Sequence, residues 1–386
     1  MNHQLPRNHR KFLLAPLLAF SFLAFLNGCA TTGAGATSRT ADGPERVDMD
    51  PVVVSSQKDA LTGLDAYDAN QLLTLSQEAY SSGDYDRTLK LSARLVEMFP
   101  ESPAVPQALF NAGMAYEQLA EYALALEQFE RVRKVPGVEP ERVRETEFRM
   151  CPVLAKLGRW SEVADMFWSL RQSAALGPLE EIEARVGQGV AMFMLGDATT
   201  AEYEFRGALK FYEERSREEF LPAEYWVGQA RFYLGEIFAR AFEAKPLTAP
   251  TTNESEDKWA EQMGEELEAK CDLLLRAQNN FIRAIRVGHV GWATAAGYRI
   301  GSLYERLYDD LVQVPVPPGL DDEAKAVYLS ELKSRVGVLV VKAIKVYELS
   351  LEAAERVGEN NEWVTRTHAS LERMKALYLD ALRADG

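Results

Sequence analysis

Three cysteines and four histidines are the side chains here best suited to covalent or metal chemistry. Cys29 stands out by its context. It follows Gly28 at the end of an uncharged run, Phe12 to Leu26, in which only Ser21 is polar. Arg7, Arg10 and Lys11 precede the run, with no acid among them. A basic start and a short apolar stretch read as a secretory signal. The run is too short for a spanning helix, which needs about 20 apolar residues. Cys151 and Cys271 lie far apart in helical patterns, with no CxxC and no histidine nearby. They read as two small buried thiols, a disulfide being the alternative in an oxidising compartment. His289, in RVGHVGW, reads as a turn residue between helices, and neither it nor His368 has a partner at metal spacing such as HExxH. No phosphate loop, GxSxG or GxGxxG occurs. The chain holds 58 acidic residues, so carboxylate pairs arise by chance. Glu265-Glu266 and Asp321-Asp322-Glu323 read as solvated helix faces or starts. We therefore expect no enzyme and no bound cofactor or metal.

The formal net charge is −15. A chain this acidic is not expected to bind nucleic acid, which asks for a basic face. Nor is it expected to hold anionic lipid by charge.

Leu26-Asn27-Gly28-Cys29 resembles a bacterial lipobox: an aliphatic residue, a variable one, a small one, then the cysteine. The resemblance implies a signal peptide over 1–28. It implies that the Cys29 thiol carries diacylglycerol and its new amine an acyl chain. Several acyl chains anchor stably, at about 0.8 kcal/mol per buried methylene. Ala30, rather than Asp, follows the cysteine. By similarity to enterobacterial sorting, that implies the outer membrane of a Gram-negative cell, with the body facing the periplasm. Residues 29–70 are rich in Thr, Gly, Ala, Ser and Asp and read as a flexible linker. About 40 such residues have a root-mean-square span of about 35 Å.

From about Leu72 helical periodicity dominates and no period-two strand pattern persists. The helices recur in pairs. In Gln107–Val135, Ala112-Gly113, Tyr116, Tyr122, Ala125 and Phe129 fall at the spacing of the tetratricopeptide repeat, which the segment resembles. In that family, small residues let two antiparallel helices approach and aromatics fill the wedge. Gly83-Asp84-Tyr85 with Pro100 repeats the register. So do Cys151, Gly158, Trp160 and Phe167, and so do Gly189, Gly196-Asp197, Ala201, Phe205 and Ala208. Two later copies are split. Leu234-Gly235 and Phe238 await Ala277, Phe281 and Ala284; Ile300-Gly301 and Tyr304 await Ala343, Tyr347 and Ser350. The expected fold is all-α: a right-handed superhelical solenoid of helical hairpins, the alternative being a generic helical bundle. Four repeats span 71–212, two with inserted loops and extended helices span 213–361, and a capping helix spans 362–386. Pro152 is expected to kink the third first helix or shift its start.

In the tetratricopeptide family the first helices line a concave groove. Carried over position by position, that groove here includes Tyr80, Phe110, Met114, Phe148, Val190, Phe193 and Phe232. Glu117 and Glu236 are carried over as well. So apolar a wall suits an amphipathic helix or an extended peptide. Alternatively, superhelical twist, the linker or the chain's own insertions cover these side chains. The resemblance implies a lipid-anchored scaffold in an envelope assembly or motility complex. Its partners would be envelope proteins and, through the anchor, the membrane. The alternative is an activator of a peptidoglycan synthase or another cell-wall regulator. Whether the acidic stretch 254–272 is a contact or a solvated helix stays open at this level.

Overall fold

The computed structural model describes residues 67–173, 176–248, 256–317 and 319–384. The signal, the lipobox residues Leu26, Asn27 and Gly28, Cys29 and nearly all of the linker lie outside the described residues. Among the described residues thirteen helices occur and no strand. They pair in sequence. The first four hairpins are α1 (Ala69–Ser81) with α2 (Tyr85–Met98), α3 (Val105–Gln118) with α4 (Tyr122–Lys134), α5 (Pro140–Lys156) with α6 (Trp160–Ser173), and α7 (Pro178–Met194) with α8 (Ala198–Arg215). Longer helices follow: α9 (Glu224–Ala244) with α10 (Glu256–Val287), and α11 (Val290–Val312) with α12 (Asp322–Val357). Helix α13 (Glu362–Ala384) closes the row. Each helix packs chiefly on its neighbours in sequence. This is the all-α solenoid of helical hairpins that the repeat spacing predicts.

Local chemistry sets the ends of the helices. Asp68 accepts from the Gln71 N–H at 2.9 Å, and the Gln71 side chain returns the bond to the Asp68 N–H. Asp84 and Asp197 cap α2 and α8 in the same way, accepting from Arg87 and Thr200. Such caps satisfy N–H groups the helix cannot. The turn inside a hairpin needs one residue with positive φ. Gly83, Gly158 and Gly196 supply it at +79°, +72° and +89°. In the second hairpin Ala120 takes that conformation at +59°, the one described non-glycine residue to do so.

The wedge between paired helices is built from a small residue facing an aromatic one. A Cβ on Gly113 would stand 2.5 Å from the Phe129 ring, and one on Gly189 2.7 Å from Phe205. Gly301 meets Tyr347 in the same manner. In the first hairpin the corresponding contact is polar: the Ser76 and Ser92 hydroxyls lie 2.8 Å apart and buried. In the third, Cys151 shares a core cluster with Phe167. Pro152 does not end its helix: α5 runs on to Lys156, with Pro152 exposed. Cys151 and Cys271 are both free thiols, the first buried and the second half-buried.

The late hairpins differ because their second helices are extended. Helix α10 begins well before the residues that pair with α9. Its added turns are anchored rather than merely solvated. Trp259 and Met263 are buried against Val314 and Leu247. Glu266 accepts from the Thr248 N–H and hydroxyl, both at 2.6 Å. Lys270 is almost wholly buried. It donates to the carbonyls of Phe242 and Lys245 at 2.9 and 2.6 Å, at the end of α9, and pairs with Asp310 of α11 at 2.8 Å. One lysine thus ties three helices together, and at the end of α9 it adds a second donor at the Phe242 carbonyl, which also accepts from the Lys245 N–H at 3.2 Å.

Candidate partner groove

The seven groove candidates separate into two sets. Tyr80, Phe110, Met114 and Phe148, on α1, α3 and α5, are half-buried. Each ring in this set is backed by a ring of the paired second helix or its start. Tyr80 lies 5.6 Å from Tyr85, Phe110 5.5 Å from Phe129, and Phe148 6.1 Å from Phe167, centroid to centroid. None of the four is fully buried. The Arg142 guanidinium stands 5.3 Å over Phe110, where the ring face favours a cation.

Val190, Phe193 and Phe232 are buried and not open to a partner. Here the expected groove is corrected, and the chain itself does the covering. Tyr233 packs edge-on to Phe193 at 5.2 Å. The Arg240 guanidinium lies 3.5 Å from the Phe193 ring centre and donates to its carbonyl at 3.1 Å. Phe232 is enclosed by Phe281, Trp292 and Trp363, at 5.4, 5.3 and 6.2 Å. Trp363 comes from α13, so the last helix fills space that a partner would need.

The first helices are also stitched to one another by arginines. Arg149 pairs with Glu117 at 2.8 Å, Arg144 with Glu180 at 3.1 Å, and Arg299 with Glu236 at 2.5 Å and Glu243 at 2.9 Å. Glu117 and Glu236, candidate contacts by position, are therefore engaged within the chain. Burial pushes the Glu236 carboxyl up, and the Arg299 charge offsets part of that. The spacing of small and aromatic residues carried no sign of these arginines.

Glu183, near the start of α7, is different. Burial raises its carboxyl to about 7, and the Glu180 charge adds to the effect. Burial raises the Cys151 thiol of α5 and the Tyr225 hydroxyl of α9, and the Glu183 carboxylate adds to both. Tyr225 is exposed and lies 5.2 Å from the His289 ring and 5.7 Å from Trp292. His289 caps α11, its Nδ1 accepting from the Trp292 N–H at 3.4 Å. Among the described residues no group of three or more His, Cys, Asp or Glu side chains could hold a metal ion. No described helix is long and apolar enough to cross a membrane.

No protein-family model matches this chain, and no curated protein does. Solved structures do. A tetratricopeptide repeat protein from Parabacteroides merdae is 13% identical, with a TM-score of 0.37, over 80% of this chain and 98% of that one. A protein with such repeats from Bacteroides fragilis is 12% identical, with a TM-score of 0.29, over 80% and 99%. The TPR2AB domain of yeast Sti1, solved in complex with pHSP90, is 13% identical, with a TM-score of 0.30, over 81% and 98%.

Proposed function

We propose that this protein is a partner-binding scaffold, tethered through acyl chains on Cys29 to the periplasmic face of the outer membrane. Its partner site is the wall formed by α1, α3 and α5. The partner is an envelope protein presenting an apolar segment, either one face of a helix or an extended strand. The observation that carries this reading is the row of Tyr80, Phe110, Met114 and Phe148 on successive first helices. Each ring packs on a ring of its own hairpin and stays half-buried. A rigid row of aromatic and methionine edges suits apolar recognition. The lipid tether and the location rest on the resemblance of Leu26-Asn27-Gly28-Cys29 to a lipobox.

Crosslinked retrieval from native membranes tests both parts. Wild type should capture a defined envelope protein. Phe110→Ala and Phe148→Glu, each folded by circular dichroism, should lose it. Cys29→Ala should leave the membrane fraction. If both groove variants capture what wild type captures, the wall is not the site. If Cys29→Ala stays membrane-bound, the tether is wrong.

A further inference from the structure

Helices α10 and α12 carry the same addition. In α2, α4, α6 and α8 the residue one turn before the wedge position lies three residues past the helix start: Thr88, Ala125, Val163 and Ala201. In α10 and α12 the matching residues, Ala277 and Ala343, lie twenty-one past it. Each of these helices therefore begins eighteen residues early, about 27 Å at 1.5 Å per residue. The wedge uses none of these turns. Those of α10 are anchored through Trp259, Met263 and Lys270. Those of α12 are capped by Asp321, which accepts from the Ala324 N–H at 2.8 Å. From Asp322 to Arg335, however, no side chain is buried. A helix that short with no buried face is marginal in water.

A cleft of about 700 Å³ lies between the starts of the two helices. Ligand sites span about 300–1,000 Å³. Trp259 lines it from α10, Val327 and Tyr328 from α12, and Pro317 and Leu320 from the loop before α12. Trp259 is 7% exposed and Val327 65%, so one wall is set in the core and the other is open to solvent. The charged residues of the lining are Asp321, Glu323 and Glu331, and among the described residues no basic one joins them. Glu323, Val327 and Glu331 succeed one another at four-residue steps, which places an apolar side chain between two carboxylates on one helix face. Among the described residues Glu323 has no ion-pair partner. Glu331 holds Arg335 at 2.8 Å, an exposed pair that contributes little.

We infer that this cleft binds a segment of another protein in which a large apolar residue is flanked by lysine or arginine. The apolar residue enters between Trp259 and Val327, and Glu323 and Glu331 meet the cation. Charge complementarity selects the partner, because three carboxylates with no base among them repel an acidic segment. Occupation gives the early turns of α12 the apolar contact that the chain does not supply. The cleft is separate from the α1, α3 and α5 wall and does not depend on its role.

A random peptide library, depleted on Val327→Glu and then panned on the full wild-type chain in detergent, tests this. The peptides retained should carry a large apolar residue beside Lys or Arg. Made synthetically, they should bind with a Kd that rises with salt. The pair Glu323→Lys with Glu331→Lys, folded by circular dichroism, should weaken that binding at least about tenfold. Val338→Glu, exposed on α12 outside the cleft, should bind as wild type does, and so should Phe110→Ala, which separates this site from the wall. Bound peptide should slow hydrogen exchange over 322–335. The proposal is overturned if no peptide survives depletion, if the survivors are acidic, or if the charge-reversed pair binds them as tightly as wild type. A wild type that sediments as a dimer which Val327→Glu disperses would make the occupant a second copy and overturn it too.

Discussion

Gly235 and Phe281 stand in contact across forty-six positions of sequence: a Cβ on Gly235 would lie 2.6 Å from the Phe281 ring. Gly113 and Phe129 make the same contact across sixteen. The inserted loop and the early turns of α10 lengthen the chain without changing the wedge. The reason is that the wedge needs only a missing side chain opposite a flat one, and any connection that brings them together will serve.

That contact makes a first prediction. Gly235→Ala drives a methyl group into a ring that is wholly buried. Overpacking of this kind costs about 1–3 kcal/mol, so the melting temperature should fall. Adding Phe281→Leu should recover part of the loss, because the two changes share one space. An unchanged melting temperature for Gly235→Ala would count against the wedge.

Ala120 offers the opposite sign. It holds φ at +59° where the other three turns have glycine. Left-handed backbone costs a residue with a Cβ about 1–2 kcal/mol. Part of that gain is returned through the greater freedom of glycine in the unfolded chain. Ala120→Gly should therefore stabilise by about 0.5–1 kcal/mol, read by denaturant midpoint. Destabilisation would mean that the alanine methyl makes a contact worth more than the strain.

Glu183 predicts a pH dependence. Its carboxyl is raised from 4.5 to about 7, so the folded chain keeps a proton that the unfolded chain releases. Stability from this group is fully present below about 4.5 and declines as pH rises through about 7. Cys151 and Tyr225 beside it are both raised and stay neutral across that window. Water still reaches the carboxyl in part, so the loss should be about 2 kcal/mol. Glu183→Gln should remove this decline between pH 5 and 8 in urea titrations. A variant with the same slope as wild type would show that the carboxyl is not held neutral.

Lys270 tests the anchoring of α10. Lys270→Met leaves the Lys245 carbonyl without its lysine donor, the Phe242 carbonyl with the Lys245 N–H alone, and Asp310 without its buried partner. Breaking a buried pair costs about 3–5 kcal/mol. Because a solenoid is stabilised by neighbours, the loss should be local. Hydrogen exchange should speed up over 258–270 and leave α1 to α4 as protected as before. Uniform loss of protection would refute local anchoring.

Much of the hairpin architecture is legible in the residues. Gly113 with Phe129, and Gly189 with Phe205, fall at one spacing, and Asp84 and Asp197 mark helix starts beside Gly83 and Gly196. These signals are local: a cap acts within three residues and a wedge within one hairpin. The early turns of α10 were less legible. Their acidic face suggested solvent, and only the tertiary contacts of Trp259, Met263 and Lys270 show that the opposite face is fixed.

The groove shows where sequence stops. Residue types and register put Tyr80, Phe110, Met114, Phe148, Val190, Phe193 and Phe232 in one class, because each sits at an equivalent position of a first helix. Residue types and their register establish that these positions exist and that they are apolar. Which of them keep partial exposure is set by packing between hairpins. Phe193 is covered by Arg240 and Phe232 by Trp363, from helices far along the chain. Coverage depends on where those later helices stack, and a repeat spacing read within one hairpin holds no record of that.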